Sequence, residues 1–379
     1  MRNIPLSKKL LEVNTMRKQT QTNSVRKPFW RRRPFLITLF VLMNVIVIAV
    51  TAIAEFGKSK DATEITEVRL DWWFLLPAAI CFLVAVTIDI YKYAMMIRKM
   101  SPKQNALSRT ELFRVARRTV LLGKYYDNIT PAAVGGQPFQ IYYMRRNSGL
   151  AIGLSTSIPI FGMISVQIGF IIIALVCFLF GGLINDNPAL IVTALIGLLF
   201  YAFWPVMVMG VSFFPKATTR FIKTAVKILA KIHIVKNREE TLARVEREVS
   251  EYAKSVKIIL RTRGLFAKTI IISVVYNLLV ASIPFFVLTA FGGNVDFWHS
   301  LATTVAVMSA IYFIPTPGNS GAAEGTFFVV FSALSSGYVF WAMLVWRFFS
   351  YYIYIILGLI TYLNINLEKR RAHDTSRKL

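Results

Sequence analysis

Two Pro/Gly-rich breaks interrupt otherwise hydrophobic segments of this chain. One runs from Asn128 through Pro131, Gly135, Gly136 and Gln137 to Pro138, the other from Phe313 through Pro315, Pro317, Gly318, Gly321 and Glu324 to Gly325. Unwound backbone at membrane depth is tolerated only where it is buried in protein or lines a polar cavity. A pair of such breaks at corresponding places in two halves of a membrane protein points to a transport site near the midplane. The membrane setting follows from a hydrophobic content of 55%, a mean hydropathy of +0.55 and several uncharged stretches long enough to cross a bilayer.

The distribution of charge sets the expected topology. A formal charge of +25 would suggest nucleic acid in a soluble protein, but here Lys and Arg collect between apolar segments, as in loops facing an anionic leaflet. Aromatic residues interleaved with charge, as single-strand binders use, are sparse there, so no nucleic-acid partner is expected. Residues 1–33 carry ten Lys/Arg against Glu12 and read as a basic cytoplasmic arm; a span over about 35–54 follows. The acidic connection from Glu55 to Asp71 is assigned outside, and a second span covers about 72–91. A basic connection counted from Lys92 to Arg118 returns the chain inside. The first break, flanked by this connection and by Arg145 and Arg146, then enters and leaves from the inside.

Further spans are expected over about 147–185, 189–214, 269–291 and 338–362. Between the second and third of these, residues 216–263 hold thirteen Lys/Arg and five Glu, and read either as a helical hairpin lying on the headgroups or as a solvated linker. The second break must re-enter from the outside if the basic tail, 366–379, is to finish inside. The expected fold is thus an all-α polytopic membrane protein of about six full spans plus two Pro/Gly-broken re-entrant hairpins, arranged as an inverted repeat. Its transmembrane domain covers 34–365, with halves of about 34–184 and 189–363. A multi-pass protein of the cell membrane with both termini cytoplasmic is the expected localisation.

In each break, prolines end one helix and glycines allow close-set backbone, so that amide N–H groups at the next helix N-terminus can face an anion such as phosphate. Charges within spans are the second signal, because a charged side chain at the centre of a membrane helix costs about 2.5–3.5 kcal/mol on insertion scales. Glu324 and Arg347 qualify and are expected to pair; Asp89 and Asp127 lie less deep, and Asp89 with Lys92 reads as a local pair near an interface. Arg145 and Arg146 either hold a headgroup at the cytoplasmic mouth or simply anchor the topology. Cys81 and Cys177 lie in apolar spans, His233, His299 and His373 are scattered, and no nucleotide fingerprint occurs. No catalytic residue, metal site or cofactor is expected.

Taken together the motifs resemble the lysylphosphatidylglycerol synthase transmembrane-domain family, also described as flippase-like membrane proteins. The resemblance is carried by Asn128 to Pro131, then Gly135, Gly136, Gln137, Pro138, Phe139 and Gln140, with Tyr142 and Arg145 following; by Pro315, Pro317, Gly318, Gly321, Glu324 and Gly325; and by Arg347 in the last span. Many relatives carry Asp where this chain has Gln137. The resemblance implies a translocase for an anionic or aminoacylated phospholipid such as lysyl-phosphatidylglycerol, whose display outside repels cationic antimicrobial peptides. It also implies contact with membrane phospholipids, leaving room for a separate aminoacyl-lipid transferase and for a homo-oligomer. A phosphatidylglycerol lysyltransferase using lysyl-tRNA and a translocase of polyprenyl-phosphate or glycolipid carriers are the alternatives. The sequence ends at Leu379 in a short basic tail, so the transferase activity in the family name is not expected to reside in it. Glu324→Gln is expected to impair transport and spare the fold.

Overall fold

The computed structural model describes residues 70–101, 107–130, 135–180, 188–231, 238–312, 314–334 and 339–378, all within one compact unit, Val47–Leu379. Among these the chain is helical and contains no strand. The first series of helices is α1 (Trp72–Met100), α2 (Arg109–Ile129), α3 (Gly136–Asn147) and α4 (Ile152–Phe180). Then come α5 (Pro188–Phe213), α6 (Pro215–Lys231) and α7 (Arg238–Arg261). The second series is α8 (Arg263–Ala290), α9 (Phe297–Ile311), a 3₁₀ turn at Pro317–Asn319, α10 (Ala322–Leu334), α11 (Val339–Arg347), a π-helical segment at Phe348–Tyr352, and α12 (Ile353–Lys378).

Five stretches are long and apolar enough to cross a membrane: α1, α4, Pro188–Gly210 of α5, Gly264–Ala290 of α8, and the joined last helix over Val339–Glu368. They coincide with five of the six spans expected from the sequence; the expected span at 35–54 lies outside the described residues. The protein is therefore an all-α polytopic membrane protein. The helix starts follow capping chemistry. Asp71 accepts from the Trp73 amide, and Ser108 and Glu111 close a reciprocal capping box at the start of α2. The hydrogen bonds from Ser108 hold the Glu111 carboxyl below its usual range.

Helix α8 packs along α1. The Asp71 amide donates to the Ala290 carbonyl (2.9 Å), so the start of α1 sits at the end of α8. Lys92, towards the end of α1, reaches Ser273 in the first half of α8, and the two helices run antiparallel. Each is followed by a helix, a break, a second helix and then a long span, giving α1–α2–α3–α4 and α8–α9–α10–α11/α12. Equivalent members that run antiparallel make the two series inverted relative to one another. Side chains are kept small where helices approach closely: a Cβ on Gly169 would meet the Ser273–Val274 backbone, and one on Gly197 the Ser309 backbone.

Two expectations change. Lys92 does not belong to a basic connection. It lies inside α1, fully buried, with Asp89 at 2.7 Å. The neighbouring backbone and hydroxyls make this affordable, because the ammonium also reaches the Gly162 carbonyl (3.4 Å) and Ser273 Oγ (3.5 Å). The basic segment 216–263 forms a helical hairpin, not a solvated linker: α6 packs on α7, with Lys223 and Glu246 at 2.9 Å, and α7 packs against α4 and α5 with Tyr252, Ala253 and Val256 buried.

Candidate functional site

The first break joins α2 to α3. Thr130 Oγ1 donates to the Tyr126 carbonyl (2.7 Å) and accepts from the Gly135 amide (2.9 Å), turning the end of α2 back on itself. Asp127 Oδ1 accepts from the Gly136 amide (2.9 Å), placing a carboxylate at the positive end of α3. Tyr126 stacks on Phe139 at 3.4 Å between ring centroids, and Gln140 lies over Gly123, where a Cβ would displace it. Gln140 is buried and accepts from Tyr93 Oη (3.4 Å). Gln137 is half-buried in the first turn of α3, whereas Arg145 and Arg146 project from its last turn. Arg145 donates to Thr156 Oγ1 (3.0 Å) and Arg146 lies over the Tyr142 ring. Pro131 lies outside the described residues.

In the second break Pro317 opens the 3₁₀ turn, Gly318 (φ 57°) and Asn319 (φ 56°) take left-handed backbone, and Pro315 remains exposed. Asn319 Nδ2 donates to the Ile311 carbonyl (2.6 Å), tying the turn to the end of α9. Glu324, three residues past the cap of α10, reaches back to accept from the Gly321 amide (2.7 Å), which is half of a capping box. Its other oxygen accepts from Arg347 Nε (2.6 Å). Arg347 also donates to the Gly318 carbonyl (3.3 Å) and Ser320 Oγ (3.2 Å), and its guanidinium lies 4.4 Å from the Tyr351 ring centroid. Both charged side chains are almost wholly buried, 5% and 3% exposed. The expected pairing is thus present, and each charge also holds backbone of the break.

The two breaks converge. Tyr351 Oη donates to the Asn128 carbonyl (3.3 Å), Asn128 Nδ2 donates to the Tyr351 carbonyl (3.4 Å), and the Tyr351 ring fills the space that a Cβ on Gly318 would need. Tyr351 stands near the middle of the last span, inside its π-helical segment, so both tips reach that level. Each break carries the same device, an acidic side chain on the N-terminus of its second helix: Asp127 on α3 and Glu324 on α10. The amides of Gly135, Gly136 and Gly321, expected as anion donors, are each engaged by a side chain in this conformation.

Behind the tips lies a polar group that the sequence reading did not single out. Lys124, one turn before Asp127, keeps accessible surface and points its ammonium towards the rings of Tyr276 on α8 (5.1 Å) and Tyr354 on α12 (5.8 Å). Tyr276 is paired with Tyr354 and Tyr201 with Tyr312, the latter rings stacked at 3.9 Å. A signal existed: from Thr119 to Met144 the only charges are Lys124 and Asp127. Among the described residues no group of three or more His, Cys, Asp or Glu could hold a metal ion. A separate groove of about 330 Å³ opens between α1 and α2, lined by Tyr91, Ala94, Met95, Leu112 and Phe113 beside Arg98 and Lys99.

No curated protein and no solved structure matches the chain. Residues 35–358 match the family model described as the lysylphosphatidylglycerol synthase TM region. With a broken-helix hairpin in each of two inverted series and that match over most of its length, the chain belongs to the lysylphosphatidylglycerol synthase transmembrane-region family, membrane proteins of lysylphosphatidylglycerol metabolism or transport.

Proposed function

We propose that the protein is a lipid translocase that moves an anionic or aminoacylated phospholipid, such as lysyl-phosphatidylglycerol, between the leaflets of the cell membrane. The observation that carries this reading is the meeting of both hairpin tips at Asn128, Gly318 and Tyr351, near the middle of the last span. Broken helices that meet at such a depth place backbone donors and charged groups where a headgroup must cross. Two long hydrogen bonds and the Tyr351 ring lie in the contact between the tips.

Asp127 and Glu324 sit where helix N-termini favour an anion. A phosphate entering between parted tips would take over the Gly136 and Gly321 amides from these carboxylates. Glu324 would then be released towards a cationic aminoacyl group, with Arg347 keeping the local charge balanced. Arg145 and Arg146 would receive the headgroup at the cytoplasmic mouth. Motion of one series against the other supplies access to alternate sides.

The test is leaflet-resolved lipid analysis of cells with and without the protein, measuring total aminoacyl-phosphatidylglycerol and the fraction labelled from outside by an amine reagent. A change in the outer fraction at constant total is the expected result. A total that rises only when the protein is present would replace translocation with synthesis, and no change in either quantity would exclude this cargo.

A further inference from the structure

The two breaks share their acid but not their cation. At the second, Glu324 and Arg347 are in contact and Arg347 also donates to the Gly318 carbonyl and Ser320 Oγ. At the first, Asp127 is held by the Gly136 amide, while Lys124 makes no hydrogen bond or ion pair among the described residues. The remaining nearby acid, Asp89, is matched by Lys92 at 2.7 Å. Asp127 is matched by the N-terminus of α3. Among the described residues at the breaks, the charge without a hydrogen-bonded partner is therefore the Lys124 ammonium, and it lies within electrostatic reach of Asp89, Asp127, Tyr312 and Tyr354. Around it stand Tyr276 of α8, Tyr354 of α12 and Tyr312 at the end of α9, with Tyr201 of α5 stacked on Tyr312.

An ammonium needs acceptors, and rings supply only a weak substitute for them. Phenol hydroxyls add donors, and a site within the protein strengthens the attraction for a small anion relative to bulk water. The geometry points to Lys124, set among Tyr276, Tyr312 and Tyr354, as the residue that binds the phosphate group of an anionic headgroup in the interior of the protein. This inference rests on the translocase reading for the source of the phosphate and on the unmatched charge for the site itself.

The experiment uses the full chain in detergent, as wild type, Lys124→Gln and Lys124→Arg. The shift of the unfolding midpoint is titrated with dihexanoyl-phosphatidylglycerol, glycerophosphoglycerol, inorganic phosphate and, as a neutral control, dihexanoylglycerol. Lys124→Gln removes the ring contacts and the nearby attraction to Asp127, so each variant's shift is read from its own midpoint without ligand. Stabilisation of wild type by the first two probes, weakened at least about tenfold by Lys124→Gln and retained by Lys124→Arg, is the expected result. Equal stabilisation by inorganic phosphate alone would support the phosphate site and assign it to the free ion. Unchanged binding by Lys124→Gln, or no binding of any phosphate probe by wild type, would overturn it. The leaflet assay separates the two readings. If Lys124-dependent binding persists but the outer-leaflet fraction never changes, translocation falls and the site stands; if Lys124→Gln transports and binds as wild type, only the site falls.

Discussion

At the scale of single residues, the pair Glu324–Arg347 changes what a substitution there would report. The carboxylate caps α10 and holds Arg347, which in turn holds the Gly318 carbonyl and Ser320. Removing either partner leaves the other charged and buried, a loss of about 3–5 kcal/mol for such pairs. Glu324→Gln and Arg347→Met are each expected to lower the unfolding midpoint in detergent, and the double variant Glu324→Gln with Arg347→Met to recover part of that loss. A midpoint for Glu324→Gln equal to wild type would return Glu324 to the purely transport role that the sequence alone suggested. Gly318→Ala forces a Cβ onto a left-handed residue and into the Tyr351 ring, and should cost at least about 1 kcal/mol. The charge pair was legible because two charges stood in apolar runs. Lys124 carried the same signal, but its tyrosine surroundings come from four distant parts of the chain, and no local pattern announces them.

The helices themselves were largely visible in the sequence, because span length and the basic and acidic connections are one-dimensional properties. Their ends were less so. Helix α1 continues through Lys92 to Met100, since Asp89 and Lys92 pair within it, and the charges that looked like a loop are part of the helix. Helix α2 depends on its cap at Ser108. Replacing an N-cap Ser by Ala typically costs about 1 kcal/mol, and Ser108→Ala should show that loss as a lower unfolding midpoint. The folded state lowers the affinity of Glu111 for its proton. Its contribution is therefore present above about pH 4.5 and disappears as pH falls through the lowered value. The difference between Ser108→Ala and wild type should accordingly shrink in acid, measured as paired unfolding curves across that range.

For the whole molecule, the inverted order of the two series was readable from the alternation of charge, whereas the contact between their tips was not, because it depends on helix packing. If that contact must open during transport, cysteines at Asn128 and Tyr351, in a background lacking Cys81 and Cys177, should arrest the outer-leaflet signal when oxidised and restore it on reduction. Arrest by oxidation that reductant does not reverse, or no arrest at all, would speak against opening at this place. The last span joins the series through one local irregularity. In an uninterrupted α-helix Arg347 and Tyr354, seven residues apart, would share a face. The wider turn at Phe348–Tyr352 inserts roughly one surplus residue, about 100° of rotation, between them. A single helix can therefore hold the second hairpin with Arg347 while turning Tyr354 towards Lys124 of the first. It acts as a splice between the two series, and any deletion that straightened it would point both side chains at the same neighbour.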